Sequence, residues 1–89
     1  MYKIFYTKYA LKQIEEETKN TQLENKTKQL IEIIKNNPYQ IPPPYEKLSG
    51  GFKGSYSRRI NTKHRLVYEV LEDVKAIKIV SVWTHYEEV

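Results

Sequence analysis

The chain has 89 residues, enough for one domain and too few for two independent cores. Its 15 Lys and Arg against 11 Asp and Glu leave a net charge of +4, and the absence of cysteine excludes a disulfide scaffold, a thiolate zinc site and a cysteine nucleophile. No run of apolar or aromatic residues exceeds three, so neither a membrane span nor a signal-peptide core is expected, and a cytoplasmic protein is the default.

Residues 2–6, Tyr-Lys-Ile-Phe-Tyr, are β-branched and aromatic-rich and predict a first strand. Thr7 is placed to cap the segment that follows. There Ala10, Leu11 and Ile14 recur at helical spacing while Glu15, Glu16 and Glu17 take polar positions, which predicts a short amphipathic helix from Lys8 to about Thr18. Thr21 and Glu24 have the spacing of a capping box. Behind them Leu23, Thr27, Leu30, Ile31 and Ile34 predict a second helix to about Lys35. Asn36-Asn37-Pro38 ends it, because the residue before a proline avoids the helical region. The short connection predicts an antiparallel helix pair.

Pro42, Pro43 and Pro44 offer no backbone donors, and the stretch Tyr39–Tyr45 reads as an extended connector within the domain. From Tyr45 onward the pattern is that of strands. Tyr45–Leu48 is short, and Gly50, Gly51 and Gly54 mark a loop. Tyr56, Arg58 and Ile60 alternate with Ser55, Ser57 and Arg59, and Asn61-Thr62 turns the chain. Leu66, Tyr68 and Val70 alternate with Arg65, Val67 and Glu69, and Glu72-Asp73 makes the next turn. Ile77, Ile79 and Ser81 then stand opposite Ala76, Lys78, Val80 and Val82, with the alternation predicting one face for each set. The intervals are too short for helical crossovers, so these strands pair antiparallel. The expectation is a single α+β domain over residues 1–89. Its order is β-α-α-β-β-β, with a mostly antiparallel twisted sheet and the two N-terminal helices packed on one face.

Charge is unevenly placed. Residues 44–66 hold six cations, Lys47, Lys53, Arg58, Arg59, Lys63 and Arg65, against one acid, Glu46, whereas the rest of the chain carries one more acid than bases. Such a window favours phosphate or an acidic protein partner. Ser49-Gly-Gly-Phe-Lys-Gly-Ser55 lacks the spacing and the strand–loop–helix context of a nucleotide-binding loop. His64 and His85 have no Cys or carboxylates at ligand spacing, which disfavours a metal site. A G-x-S-x-G elbow is absent. What remains is acid–base chemistry: the carboxylate of Glu46, the imidazole of His85 and the forked donors of Arg58, Arg59 and Arg65. This is a sufficient kit for cleaving RNA without metal, with a base for the 2′-OH, guanidinium groups for the phosphorane charge and an acid for the 5′-oxygen. DNA lacks the 2′-OH and would not be cut. The same residues are compatible with plain roles: Glu46 in a surface ion pair, His85 as an ordinary surface side chain, Arg58-Arg59 as a patch for an acidic partner.

The segments Tyr56-Ser-Arg-Arg-Ile-Asn61, Lys63-His-Arg-Leu-Val-Tyr68 and Trp83-Thr-His-Tyr86, with Glu46 upstream, together resemble the YoeB/Txe family of bacterial toxins in the RelE superfamily. The likeness follows the order of elements along the whole chain and is sharpest from Glu46 to Tyr86. It implies a RelE-like fold and the toxin half of a type II toxin–antitoxin pair. It further implies a ribosome-dependent endoribonuclease that cuts messenger RNA in the A site by 2′-OH attack, with no metal or other cofactor, and so arrests translation. By matching position, the likeness makes Glu46 the general base, His85 the general acid, Arg65 the stabiliser of the phosphate and Tyr86 a substrate-positioning residue. Arg59 resembles a supporting basic contact. Ser49 stands where a family lysine is expected, which leaves open which lysine contacts the RNA, with Lys47 and Lys53 as candidates and Arg58 and Lys63 completing the basic set. Two acids, Glu87 and Glu88, follow Tyr86. The implied partners are an acidic antitoxin that wraps the toxin and messenger RNA on the 70S ribosome. The family also often dimerises; no membrane partner is implied. The alternative is a catalytically weak module of the same fold that binds an antitoxin or RNA. The complete set Glu46, Arg65, His85 and Tyr86 favours the enzyme over it.

Overall fold

The computed structural model describes residues 1–16, 21–50 and 54–84, with only the backbone described at 83 and 84. Strand β1 (Lys3–Tyr6) leads into helix α1 (Lys8–Glu16) and helix α2 (Thr21–Asn36). Strands β2 (Tyr45–Lys47), β3 (Ser55–Arg59), β4 (Arg65–Leu71) and β5 (Ala76–Thr84) follow. The sheet order is β1-β5-β4-β3-β2, parallel between β1 and β5 and antiparallel elsewhere. The short segment at Tyr45 is thus a fifth strand of the same sheet, one more than the β-α-α-β-β-β order counts. The Glu72-Asp73 turn is a 3-10 turn, Glu72–Val74, closed by Lys75 in the left-handed region at φ 51°.

The predicted helices form because each has one apolar stripe to bury. Ala10 of α1 and Leu23, Leu30 and Ile34 of α2 meet Leu66, Tyr68, Ile77, Ile79 and Val82 of the sheet in one core. Thr7 does cap α1: its Oγ1 accepts from the Ala10 N–H at 3.0 Å. The hydroxyl also donates to the Val80 carbonyl at 2.8 Å, and the Thr7 N–H donates to the Ile79 carbonyl at 3.0 Å. Further along the same edge, the Val82 N–H donates to Gln13 Oε1 at 2.8 Å. Where β1 stops, side chains at and within α1 therefore carry the bonding of β5 onward.

β5 departs from plain alternation. Tyr68 faces Ile79, Val67 faces Ser81 and Arg65 faces Thr84, so three steps along β4 match five along β5. The two extra residues are β-bulges. They correct the expected facing. Ser81 does not continue the side of Ile77 and Ile79 but pairs with Val67, and Val82 enters the core in its place, fully buried.

At the other end of the sheet, exposed Glu72 gathers three donors. Tyr39 donates to its carboxylate at 2.5 Å, Tyr2 at 3.0 and 3.1 Å, and Lys75 Nζ at 3.2 Å. The bond from Tyr39, above all, holds the Glu72 carboxyl below its ordinary value of 4.5. Burial, and then the same bond, push the Tyr39 phenol well above its ordinary 10. A depressed carboxylate contributes stability that is present above its unfolded value and is lost as pH falls through the folded one. Thermal melts from about pH 6 to about pH 3 should show a fall in Tm on the acid side that is shallower in Glu72→Gln. Equal slopes in the two proteins would remove Glu72 from the acid limb.

Candidate functional site

Cross-strand partners share a face, so the register decides which polar residues meet. Glu46 on β2 pairs with Ser57 on β3, and Arg59 at the end of β3 pairs with Arg65 at the start of β4. Those positions put Glu46, Ser57, Arg59 and Arg65 on the same side of three adjacent strands. A cleft of about 470 Å³ opens beside them. Its lining includes all four, together with Pro44 and Tyr45 on one side and Asn61 on another. Glu46 and Arg59 are exposed, and Arg65 is half-buried. Among the described residues Glu46 makes no ion pair, with either arginine or with any other cation.

Arg65 is steadied from the turn below it. Its Nη1 lies 3.5 Å from the Asn61 carbonyl. Asn61 Oδ1 accepts from the backbone N–H groups of Lys63 at 2.9 Å and His64 at 2.8 Å, and lies 2.9 Å from His64 Nδ1. The Asn61-Thr62 turn expected from the sequence is thereby locked by its own side chain. Across β4 the position facing Arg65 on β5 is Thr84. His85 and Tyr86 come next in the chain and, with Lys53, lie outside the described residues.

The structure brings together Glu46, Arg59 and Arg65. Lys47 and Lys63 are exposed but do not line the cleft. Arg58 does not belong with them, and its expected RNA contact is corrected. Its partner across β3–β2 is Tyr45, which puts it on the helix side of the sheet, fully buried. There its donors go to the Tyr68 hydroxyl at 3.0 Å, the Pro38 carbonyl at 3.0 Å and the Pro43 carbonyl, and its guanidinium carbon lies 4.9 Å from the Tyr45 ring centre. The alternation of Arg58 with Ser57 and Arg59 already placed it on the opposite face, and that signal outranks its charge. Tyr68 is buried as the alternation predicts, and burial raises its phenol above 10 while Arg58 opposes the shift. The lining residues Ser57 and Asn61 were visible in the sequence only as a strand position and a turn.

Solved structures share this architecture. YoeB of Staphylococcus aureus, in a YoeB-YefM complex, is 33% identical, with a TM-score of 0.80 over 97% of this chain and 99% of that one. A structure of a YoeB dimer from the same organism is 32% identical, with a TM-score of 0.78 over 96% and 98% of the two chains. A YoeB/ParE toxin from Agrobacterium tumefaciens is 27% identical, with a TM-score of 0.84 over 94% and 99%. In sequence, a Toxin YoeB from Synechocystis is 36% identical over 58 residues, 65% of this chain and 65% of that relative's length. The fold is that of the toxin components of bacterial type II toxin–antitoxin systems. Residues 6–86 match the model of the YoeB-like toxin of such systems, and the chain belongs to that family.

Proposed function

We propose that the chain is a metal-independent endoribonuclease that cuts messenger RNA in the ribosomal A site and is restrained by an acidic antitoxin. The observation that carries the reading is the cleft in which one exposed carboxylate, Glu46, stands with Arg59 and Arg65, beside the β5 position that immediately precedes His85. Glu46 takes the proton of the 2′-OH, and the 2′-oxygen attacks the adjacent phosphorus. Arg65, with Arg59 at the rim, stabilises the charge gathering on the non-bridging oxygens. The bond to the 5′-oxygen breaks as His85 donates a proton to it, leaving a 2′,3′-cyclic phosphate and a free 5′-hydroxyl. Tyr86 helps to hold the nucleotide in line, and Lys47, Lys53 and Lys63 supply charge along the RNA backbone. The family likeness and the basic window support an acidic antitoxin, and the YoeB-YefM and YoeB dimer structures support the antitoxin and self-association as partners.

Glu46 and Arg59 both face solvent, and a cleft so open leaves water around the reacting groups. Charge stabilisation and an in-line geometry both improve when a second surface excludes that water. The ribosome supplies such a surface, so free RNA at nanomolar toxin should be cut poorly. Primer extension on messenger RNA bound to programmed 70S ribosomes tests the whole reading: a discrete A-site cut supports it. No cut by folded protein would shift the weight to a binding module, and rapid cutting of free RNA would remove the ribosome from the mechanism.

A further inference from the structure

Arg58 is a buried cation whose described contacts include no carboxylate. Burying a charge without a counter-charge disfavours folding, and an apolar residue of similar volume is often the more stable choice. Stability alone therefore does not account for an arginine here. Its role is legible in what it holds. Two of its donors reach carbonyls at the two ends of one segment, Pro38 and Pro43, and its guanidinium carbon lies over the ring of Tyr45, two residues beyond the second. The third goes to the Tyr68 hydroxyl, which itself donates to Pro38 at 2.8 Å. Arg58 thus fastens the strap between α2 and β2 to the middle of the sheet at three points.

That strap ends at Glu46. β2 is a three-residue edge strand bonded on one side only, and the residues before it are prolines, which give no backbone donors to extend the ladder. So short an edge is weakly held by its own pairing. We infer that Arg58 is a positioning residue for Glu46: by clamping Pro38, Pro43 and Tyr45 it fixes the approach of β2 and with it the carboxylate in the cleft. This rests on the reading of Glu46 as the base. Arg58 itself touches no substrate. Lysine cannot replace it, since a single ammonium on a flexible stem does not span two carbonyls and a hydroxyl while also lying over a ring.

The experiment compares wild type, Arg58→Lys, Glu46→Ala and the double variant in single-turnover cleavage on programmed ribosomes, with folded fraction fixed by circular dichroism and amide exchange followed along the chain. Arg58→Lys should lower the rate at saturating toxin by about 10²-fold, the scale of an ångström's misplacement, and leave the half-saturating concentration within about twofold. In the Glu46→Ala background it should add no more than about twofold, because the group it positions is gone. Amides at Tyr45–Lys47 should exchange about tenfold faster while those of β4 stay protected. An Arg58→Lys protein with the wild-type rate and unchanged exchange at Tyr45–Lys47 overturns the inference. So does an equal loss in the Glu46→Ala background, which would mean a general structural role. If Glu46→Ala cuts at the wild-type rate, the base assignment fails instead, and exchange at Tyr45–Lys47 alone decides whether Arg58 holds the strap. Should Arg58→Lys not fold, Tyr68→Phe takes its place. It removes one bond to Arg58 and one to Pro38 without opening the core, and the same exchange and rate patterns are required of it.

Discussion

Replacing Glu46 by alanine is expected to slow cleavage of ribosome-bound messenger RNA by about 10²–10⁴-fold, the range over which a positioned general base acts. Among the described residues Glu46 is the only carboxylate lining the cleft, and it has no ion-pair partner there that would hold its charge away from the 2′-OH. Glu46→Gln should fail almost as badly as alanine, because the amide keeps shape and hydrogen bonding but accepts no proton. Neither change should unfold the protein, since the side chain is exposed and lies on an edge strand. Single-turnover rates on programmed ribosomes, with thermal melts of the same samples, check both statements. Alanine and glutamine variants that retain the wild-type rate would return the chemistry to the arginines and His85.

Arg65 carries the second large effect. It is half-buried, with its Nη1 near the Asn61 carbonyl, opposite Arg59 on one side and the end of β5 on the other. Arg65→Ala should cost about 10²–10³-fold in the chemical step, the cost of removing one fixed donor aimed at developing charge. Arg65→Lys should recover only a small part of that loss, because a point charge does not reproduce two parallel donors. Exposed Arg59 should behave differently: alanine there should weaken binding in a way that rising salt progressively masks, with a smaller effect at saturation. An Arg65→Lys protein as fast as wild type would mean that bare charge suffices.

Much of this site was legible along the chain. Period-two alternation placed Ser57 and Arg59 on one face and Arg58 on the other, and the basic window with its single acid marked Glu46. What alternation could not supply was pairing. That Glu46 faces Ser57, and Arg59 faces Arg65, depends on the register between neighbouring strands, which alternation within each strand does not set. The error over Arg58 came from reading its charge as a sign of exposure. The carbonyls that accommodate that charge belong to Pro38 and Pro43, 20 and 15 residues away, and no local pattern announces them. The facing of Ser81 and Val82 escaped for a related reason. A bulge leaves the composition of a strand unchanged and shows only when its partner is beside it.

The two extra residues of β5 make the far end of that strand a matter of parity. Odd insertions exchange the faces of everything downstream and even ones restore them. Between Ile79 and Thr84 the count is even, so the chain reaches the position opposite Arg65 with its original facing and about 7 Å more length than a regular strand would need. Removing one residue there would turn the remainder of the strand inside out. Removing two, one from each bulge, would keep the side chains on their own faces and only draw the end back. This stretch of the toxin should therefore tolerate changes of length in pairs, and a single-residue deletion at Val80 should do more harm than any substitution at the same place.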